Sequence, residues 1–354
     1  MGEKPRVKIG FVGVGGMGQA AHLRHYAQVP GCEVVALAEV KQDLARKVAA
    51  KWGVPRVYAS HAEMLANERL DGIVASQQFT RHGTLIPGLL ASGVPVLTEK
   101  PIAGSVEMGE KIIAAASAAK TWMMIAYHKR SDPATMAAKK EIERLRATGE
   151  LGKLTYIRIL MPAGDWVANG FCQNVHGDDP APQLEWDPPA PDMDEATNKA
   201  YIEFVNYYIH QVNYMRHLLG ETWRPVFAAR SGVQLSGESA SGVACSLEMT
   251  PFRSTLDWQE IIQVCFERGW VRVTLPAPLT TNRAGKLEIY RDPNKETTPR
   301  VEEWQMPWVG AMWQQARNYV AKLQGCQDSA CCTATDALED MKFAREFIKI
   351  WKGK

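Results

Sequence analysis

Residues 7–18 read VKIGFVGVGGMG, and the change of character between Val12 and Gly13 decides the fold. Val7–Val12 is a mainly apolar run of strand length, and it stops at a turn crowded with glycines. Gln19–Gln28 can then form a helix, so the order is strand, tight turn, helix. The turn itself, Gly13-Val14-Gly15-Gly16-Met17-Gly18, has the spacing G-x-G-x-x-G. Gly13 permits the sharp turn, Gly15 lets the backbone approach a pyrophosphate, and Gly18 lets helix and strand pack closely. The helix N-terminus offers N–H groups and partial positive charge to the phosphates. Glycine-rich turns are common, and the weight of this one comes from its neighbours.

A second apolar run, Glu33–Ala38, is followed by Glu39, about 20 residues beyond Gly18. A carboxylate there accepts hydrogen bonds from a ribose 2′-hydroxyl and repels a 2′-phosphate. NAD is therefore favoured over NADP, with Lys41 two residues on keeping NADP as the lesser alternative. A helix is expected from Gln42 to Lys51, ended by Gly53 and Pro55. Further strands fit Gly72–Ser76, Val94–Thr98 and Trp122–Ala126, separated by segments rich in Ala, Leu and Glu. This alternation predicts an α/β domain with a doubly wound parallel sheet.

The chain has 354 residues, which predicts two domains. Its 41 Lys and Arg stand against 39 Asp and Glu, with no basic stripe, which argues against nucleic-acid or membrane-surface partners. Seven cysteines, odd in number and without C-x-x-C spacing, suit a reducing, cytoplasmic compartment. Cys326, Cys331 and Cys332 cluster without a fourth ligand, so no metal is expected. Met1–Lys8 lacks the apolar core of a signal peptide, and nowhere do about 20 apolar residues run together.

Thr98-Glu99-Lys100-Pro101, with the glycine turn upstream, resembles the glucose-fructose oxidoreductase, inositol dehydrogenase and MocA family of nicotinamide-dependent oxidoreductases. Tyr127-His128-Lys129-Arg130 through Pro133, Gly149–Lys153, Ile209-His210 and Leu218–Glu221 extend the resemblance over most of the chain. It implies an N-terminal Rossmann domain over 1–127 and an α+β domain over 128–354. The second domain would hold a large, mainly antiparallel open sheet whose outer face makes a homodimer or homotetramer. Tyr156–Leu160, Val226–Arg230, Ser241–Met249, Glu260–Glu267 and Trp270–Leu275 read as its strands. A final amphipathic helix, 334–351, would return toward the first domain.

The resemblance also implies roles. Lys100 would lie beside the nicotinamide and hold the reacting hydroxyl, on a cis Lys100–Pro101 peptide. His210 would accept the hydroxyl proton, which suits an imidazole with an ordinary pKa of about 6.5. Met17, Ser76, Gln77, His82, Glu99 and His128 join the glycines, Glu39 and Lys41 as cofactor contacts. Several positions depart from the family pattern. Asn206 and Asn213 stand where Asp is common, and Asn206 can orient His210 without raising its basicity. Tyr207 and Tyr208 replace a glycine, Gln77-Gln78-Phe79 replaces Thr-Pro-Asn, and His128 stands for Asn.

The substrate is expected to be a small carbohydrate or cyclitol met by the second half. Pro162–Tyr201 has six prolines and eight acids against one basic residue, and nine of the eleven tryptophans lie beyond residue 150. Indole faces stack on sugar C–H faces while carboxylates and amides pair with hydroxyls. Tyr127, Arg130, Asp165, Trp166, His176, Tyr201, Glu203 and Tyr207 are the candidates, with subunit contacts or plain core packing as the other explanation for the tryptophans. Three functions follow: a dehydrogenase of a secondary hydroxyl, a glycoside-cleaving enzyme that oxidises transiently with NAD retained, and a non-catalytic NAD-binding regulator.

Overall fold

The structure, a computed structural model, describes residues 6–180, 182–326 and 330–353. Residues 1–5, part of the Met1–Lys8 stretch read above, lie outside the described residues. The chain divides into two units, one of Met1–Tyr127, Asn169–Asp194 and Met312–Met341, the other of His128–Ala168, Glu195–Ala311 and Lys342–Lys354. Residues 169–194 and 312–341, expected in the second domain, therefore belong to the first. Val175 bonds Gln19, and the Tyr319 hydroxyl donates to Ile73 O at 3.1 Å and Pro95 O at 2.8 Å.

In the first unit, β1 (Val7–Val12) is buried at every position except Lys8. Such a run suits a central strand covered on both faces. β2 (Cys32–Ala38), β3 (Arg56–Tyr58), β4 (Gly72–Ala75), β5 (Val96–Thr98) and β6 (Met123–Ile125) pair with it in parallel, in the order β6-β5-β4-β1-β2-β3. The short strand Cys332–Thr333 closes the β6 edge in antiparallel sense. After β1 come a π-wound stretch, Gly18–Leu23, and the short helix α1, Arg24–Tyr26. α2 (Gln42–Trp52), α3 (His61–Asn67), α4 (His82–Leu90) and α5 (Val106–Ala118) are the crossovers. Phe11, Tyr26 and Tyr319 meet edge to face in the core, where each fully buried large side chain contributes about 1.5–3 kcal/mol.

The second unit is built on an eight-stranded sheet whose first strand in sequence, β7 (Leu154–Ala163), lies near its middle. β7 pairs in parallel with β10 (Ala244–Arg253) and antiparallel with β11 (Glu260–Phe266); the other pairings are antiparallel. β8 (Trp223–Ala228) and β9 (Gln234–Ser239) extend one side. β12 (Gly269–Leu275), β13 (Lys286–Arg291) and β14 (Arg300–Trp304) extend the other. β11 and β12 alternate buried and half-buried residues, the pattern of a sheet with one covered face. The helices of this unit are α6 (Pro133–Thr148), α7 (Glu195–Tyr207) and α8 (Ile209–Leu219). The helix α9 (Ala311–Leu323) lies almost wholly in the first unit, and α10 (Ala334–Lys352) passes from first to second after Met341. Ala337, Met341, Ala344 and Ile348, the predicted stripe of α10, are all fully buried.

Candidate functional site

In the first unit the order β3-β2-β1-β4-β5-β6 reverses direction at β1/β4, and such a switch point opens a crevice at the carboxyl ends of the strands. The predicted cofactor residues follow those ends. Gly13 has φ +88° and donates its N–H to Ala38 O at 2.9 Å. A Cβ on Gly13 would strike the Gln77 side chain, and one on Gly18 would come within 2.7 Å of Gly13 O. A Cβ on Gly15 would meet nothing within 4 Å, so its bareness serves no packing within the chain and fits the close approach of a pyrophosphate. Glu39, past β2, accepts from Val14 N at 2.9 Å and Lys41 N at 3.0 Å, which sets its carboxylate against the turn. Ser76 and Gln77, past β4, bond Val12 O through the Ser76 N–H at 3.0 Å and the Gln77 amide at 3.3 Å. These residues fit a dinucleotide.

Past β5, the Lys100–Pro101 peptide is cis, as the resemblance implied. Glu99 lies against His22 at 2.7 Å and accepts from Lys100 N at 3.2 Å. Burial pushes the Glu99 carboxyl up, but the His22 hydrogen bond and the nearby Lys100 charge outweigh it and hold it below the usual value. Glu99 thereby secures the turn that presents Lys100. His82 is fully buried, with Nδ1 on Ile102 O at 3.1 Å and Nε2 on Gln77 O at 3.3 Å. These contacts tie the β4 and β5 loops together. Met17 leads into the π-wound stretch.

In the second unit His210 opens α8, and its ring meets His128 edge to face, centroids 4.7 Å apart. The buried Arg130 donates Nε to Asn213 Oδ1 at 2.7 Å, so the amide that replaces an expected Asp orients a guanidinium. Glu260 on β11, which no local motif in the sequence singles out, reaches the same helix. It is fully buried, ion-paired with Lys129, and accepts from Gln211 Nε2 at 2.7 Å and Trp258 Nε1 at 3.2 Å. Burial first, and then the Glu260 charge, raise the Tyr207 phenol above its usual pKa. Lys129 and Glu260 sit on separate elements, and no local spacing in the sequence joins them.

The substrate candidates disperse. Arg130, Asp165, Trp166, Tyr201, Glu203 and Tyr207 belong to the second unit, as does Asn206, expected to orient His210; Tyr127 and His176 belong to the first. Tyr127 and Tyr201 are buried, while Glu203, Asn206 and His176 are exposed. Trp186 lies under the Arg81 guanidinium and Trp313 packs on the first unit's core, so those indoles have structural work. Trp308 is 84% exposed. Asp165, Trp258, Arg283, Lys286 and Trp304 help to line a cavity of about 470 Å³ within the second unit. Among the described residues no group of three His, Cys, Asp or Glu is placed to hold a metal ion, and no helix is long and apolar enough to cross a membrane.

The segment 169–194 lies along the residues of the dinucleotide crevice. Asn174 Nδ2 donates to Gly16 O at 3.1 Å, and Gln19 and Val175 exchange two hydrogen bonds of 3.1 and 2.9 Å. Lys51 donates to Gln173 O. Further along, Asp187 accepts from Gly83 N at 2.8 Å and Thr84 N at 2.9 Å, at the start of α4.

A model of an oxidoreductase family with an NAD-binding Rossmann fold, the glucose-fructose oxidoreductase, inositol dehydrogenase and MocA family, matches residues 7–127. The chain is 28% identical over 152 residues to an inositol 2-dehydrogenase of Rubrobacter xylanophilus, a match spanning 43% of this chain and 42% of that relative. Two solved structures follow nearly the whole chain. One is an oxidoreductase of Desulfitobacterium hafniense assigned as NADPH-dependent, with TM-score 0.77 at 13% identity, covering 99% of this chain and 97% of the other. The second is an NAD-binding oxidoreductase of Klebsiella pneumoniae, with TM-score 0.72 at 18% identity, covering 98% and 97%. At such identities the likeness shows the fold alone.

Proposed function

Taking as premise that the chain belongs, through residues 7–127, to the glucose-fructose oxidoreductase, inositol dehydrogenase and MocA family, we propose that it oxidises a secondary hydroxyl of a sugar, sugar derivative or cyclitol with NAD. The observation that carries this reading is Lys100, held at the carboxyl end of β5 beside the Glu99–His22 pair, in a unit whose fingerprint fits a dinucleotide. The bound nicotinamide would supply a hydride acceptor. Lys100 holds the reacting oxygen and polarises it, the work of a positioned cation. His210 takes the hydroxyl proton, with His128 against its ring to fix its plane. Glu260 accepts from Gln211, the residue after His210, and so helps to hold the start of α8 in place. The cavity edged by Trp258 and Trp304 combines indole faces with carboxylates and cations, a lining suited to a polyhydroxylated ring.

The test is a screen of sugars, cyclitols and glycosides with NAD, following absorbance of NADH. Stoichiometric NADH with one substrate is expected, with loss of about 10²–10⁴-fold in kcat for His210→Ala. Normal turnover in that variant would remove His210 from the reaction. A second reading, glycoside cleavage by transient oxidation, is favoured by the segment 169–194 laid along the fingerprint turn, a placement that would slow dinucleotide exchange. Product without net NADH, and solvent deuterium on the carbon beside the oxidised one, would select that reading.

A further inference from the structure

The first turn of α2 offers a place where an anion is ordinarily held. Its leading N–H groups lack intrahelical partners and carry partial positive charge, and α2 runs for eleven residues. Here the chain itself fills that place. Asp179 accepts from Asp43 N through Oδ1 and from Leu44 N through Oδ2, both at 2.9 Å, from 136 residues downstream of Asp43. The attachment is reciprocal, since Asp178 N donates to Asp43 Oδ2 at 3.0 Å. Partial desolvation pushes the Asp179 carboxyl up, but the two amide donors outweigh it and keep it below the usual aspartate value. The Lys47 hydrogen bond holds Asp43 low as well. Both are anions at neutral pH.

Glu39 stands at the end of β2, four positions before Asp43, with its carboxylate against the fingerprint turn. A ribose held by Glu39 would present its 2′-position toward the start of α2. There a 2′-phosphate would meet Glu39, Asp43 and Asp179 together. The nearby cations give little relief: Lys47 is paired with Asp43 at 2.7 Å and with Asp178 at 3.4 Å, and Lys51 reaches Gln173 O. Arg46, 66% exposed, lies 3.9 Å from Asp43, and Lys41 is the other basic side chain at the start of α2.

We propose that Asp179 is a specificity-determining residue, which reserves the cofactor site for a dinucleotide with a free adenosine 2′-hydroxyl by occupying the α2 N-terminus with a carboxylate. The proposal rests on the oxidoreductase reading above and deepens it. Glu39 and Asp43 are local to the end of β2 and the start of α2; the third acid, Asp179, arrives from a different part of the chain.

The experiment measures Kd for NAD⁺ and NADP⁺ by calorimetry on the full chain, without substrate, for wild type, Asp179→Ser and Asp178→Ser. Wild type is expected to prefer NAD⁺ by about 100-fold or more, because like charges brought together are strongly repelled. Asp179→Ser keeps a hydroxyl for the α2 amides and should tighten NADP⁺ by at least about tenfold, with little change for NAD⁺. Asp178→Ser removes an exposed carboxylate that accepts from no α2 amide, and should change the ratio far less than Asp179→Ser does. Equal affinities in wild type, or equal weakening of both dinucleotides in Asp179→Ser, would overturn the proposal and leave the oxidoreductase reading intact. Binding of neither dinucleotide to wild type would overturn that reading, and the proposal with it.

Discussion

Lys129 and Glu260 carry opposite charges where water reaches neither, at 4% and 0% exposure. A buried charge that loses its partner keeps its desolvation cost, so removing one member is worse than removing both. Lys129→Met should therefore destabilise the second unit by about 3–5 kcal/mol, and the double variant Lys129→Met, Glu260→Met should recover most of that. Urea denaturation followed by tryptophan fluorescence measures it; a single variant within about 1 kcal/mol of wild type would show the pair to be dispensable. At this scale the sequence was legible where a residue's role is local. Gly13 needs its positive φ, and Lys100 follows from the motif around it. Glu260 was not legible, because its meaning lies in three donors brought from Lys129, Gln211 and Trp258.

Elements with strong periodicity were read from sequence to within a few residues. β1, β2 and α10 are long enough for apolar spacing to dominate local preference. β3 and β14 were missed for a physical reason: both are edge strands, short or charged, and edges favour such residues because they discourage further pairing. Pro162–Tyr201 was read as a substrate-facing segment from its prolines, acids and tryptophans. Two of its acids, Asp179 and Asp187, cap helix starts. Asp187 takes two amides and a hydroxyl at the start of α4. Asp187→Ala should cost about 1–2 kcal/mol and speed amide exchange at Gly83 and Thr84. Unchanged protection at those two amides would show that the cap does not hold the helix start.

For the whole molecule, acid is expected to destabilise through buried imidazoles. Burial, helped by Arg24 and His22, lowers the His25 pKa from 6.5 to about 3, and burial lowers His82 as well. The unfolded chain takes up these protons below pH 6.5 while the folded chain resists. The stabilisation is therefore complete above pH 6.5 and is lost progressively as pH falls toward 3. At pH 4.5 His25 alone accounts for about 2–3 kcal/mol. His25→Gln should narrow the gap in unfolding free energy between pH 7 and pH 4.5; an identical gap in the variant would refute the assignment. The sequence by itself determined a parallel, doubly wound first sheet, the glycine turn and the residues at its strand ends, because each depends on neighbours in the chain. Only the tertiary structure decided that 169–194 and 312–341 complete the first unit, that Glu260 pairs with Lys129 and holds Gln211, and that Asp179 occupies the start of α2. Those outcomes depend on carboxylates finding unpaired donors far along the chain, and such partners leave no periodicity to read.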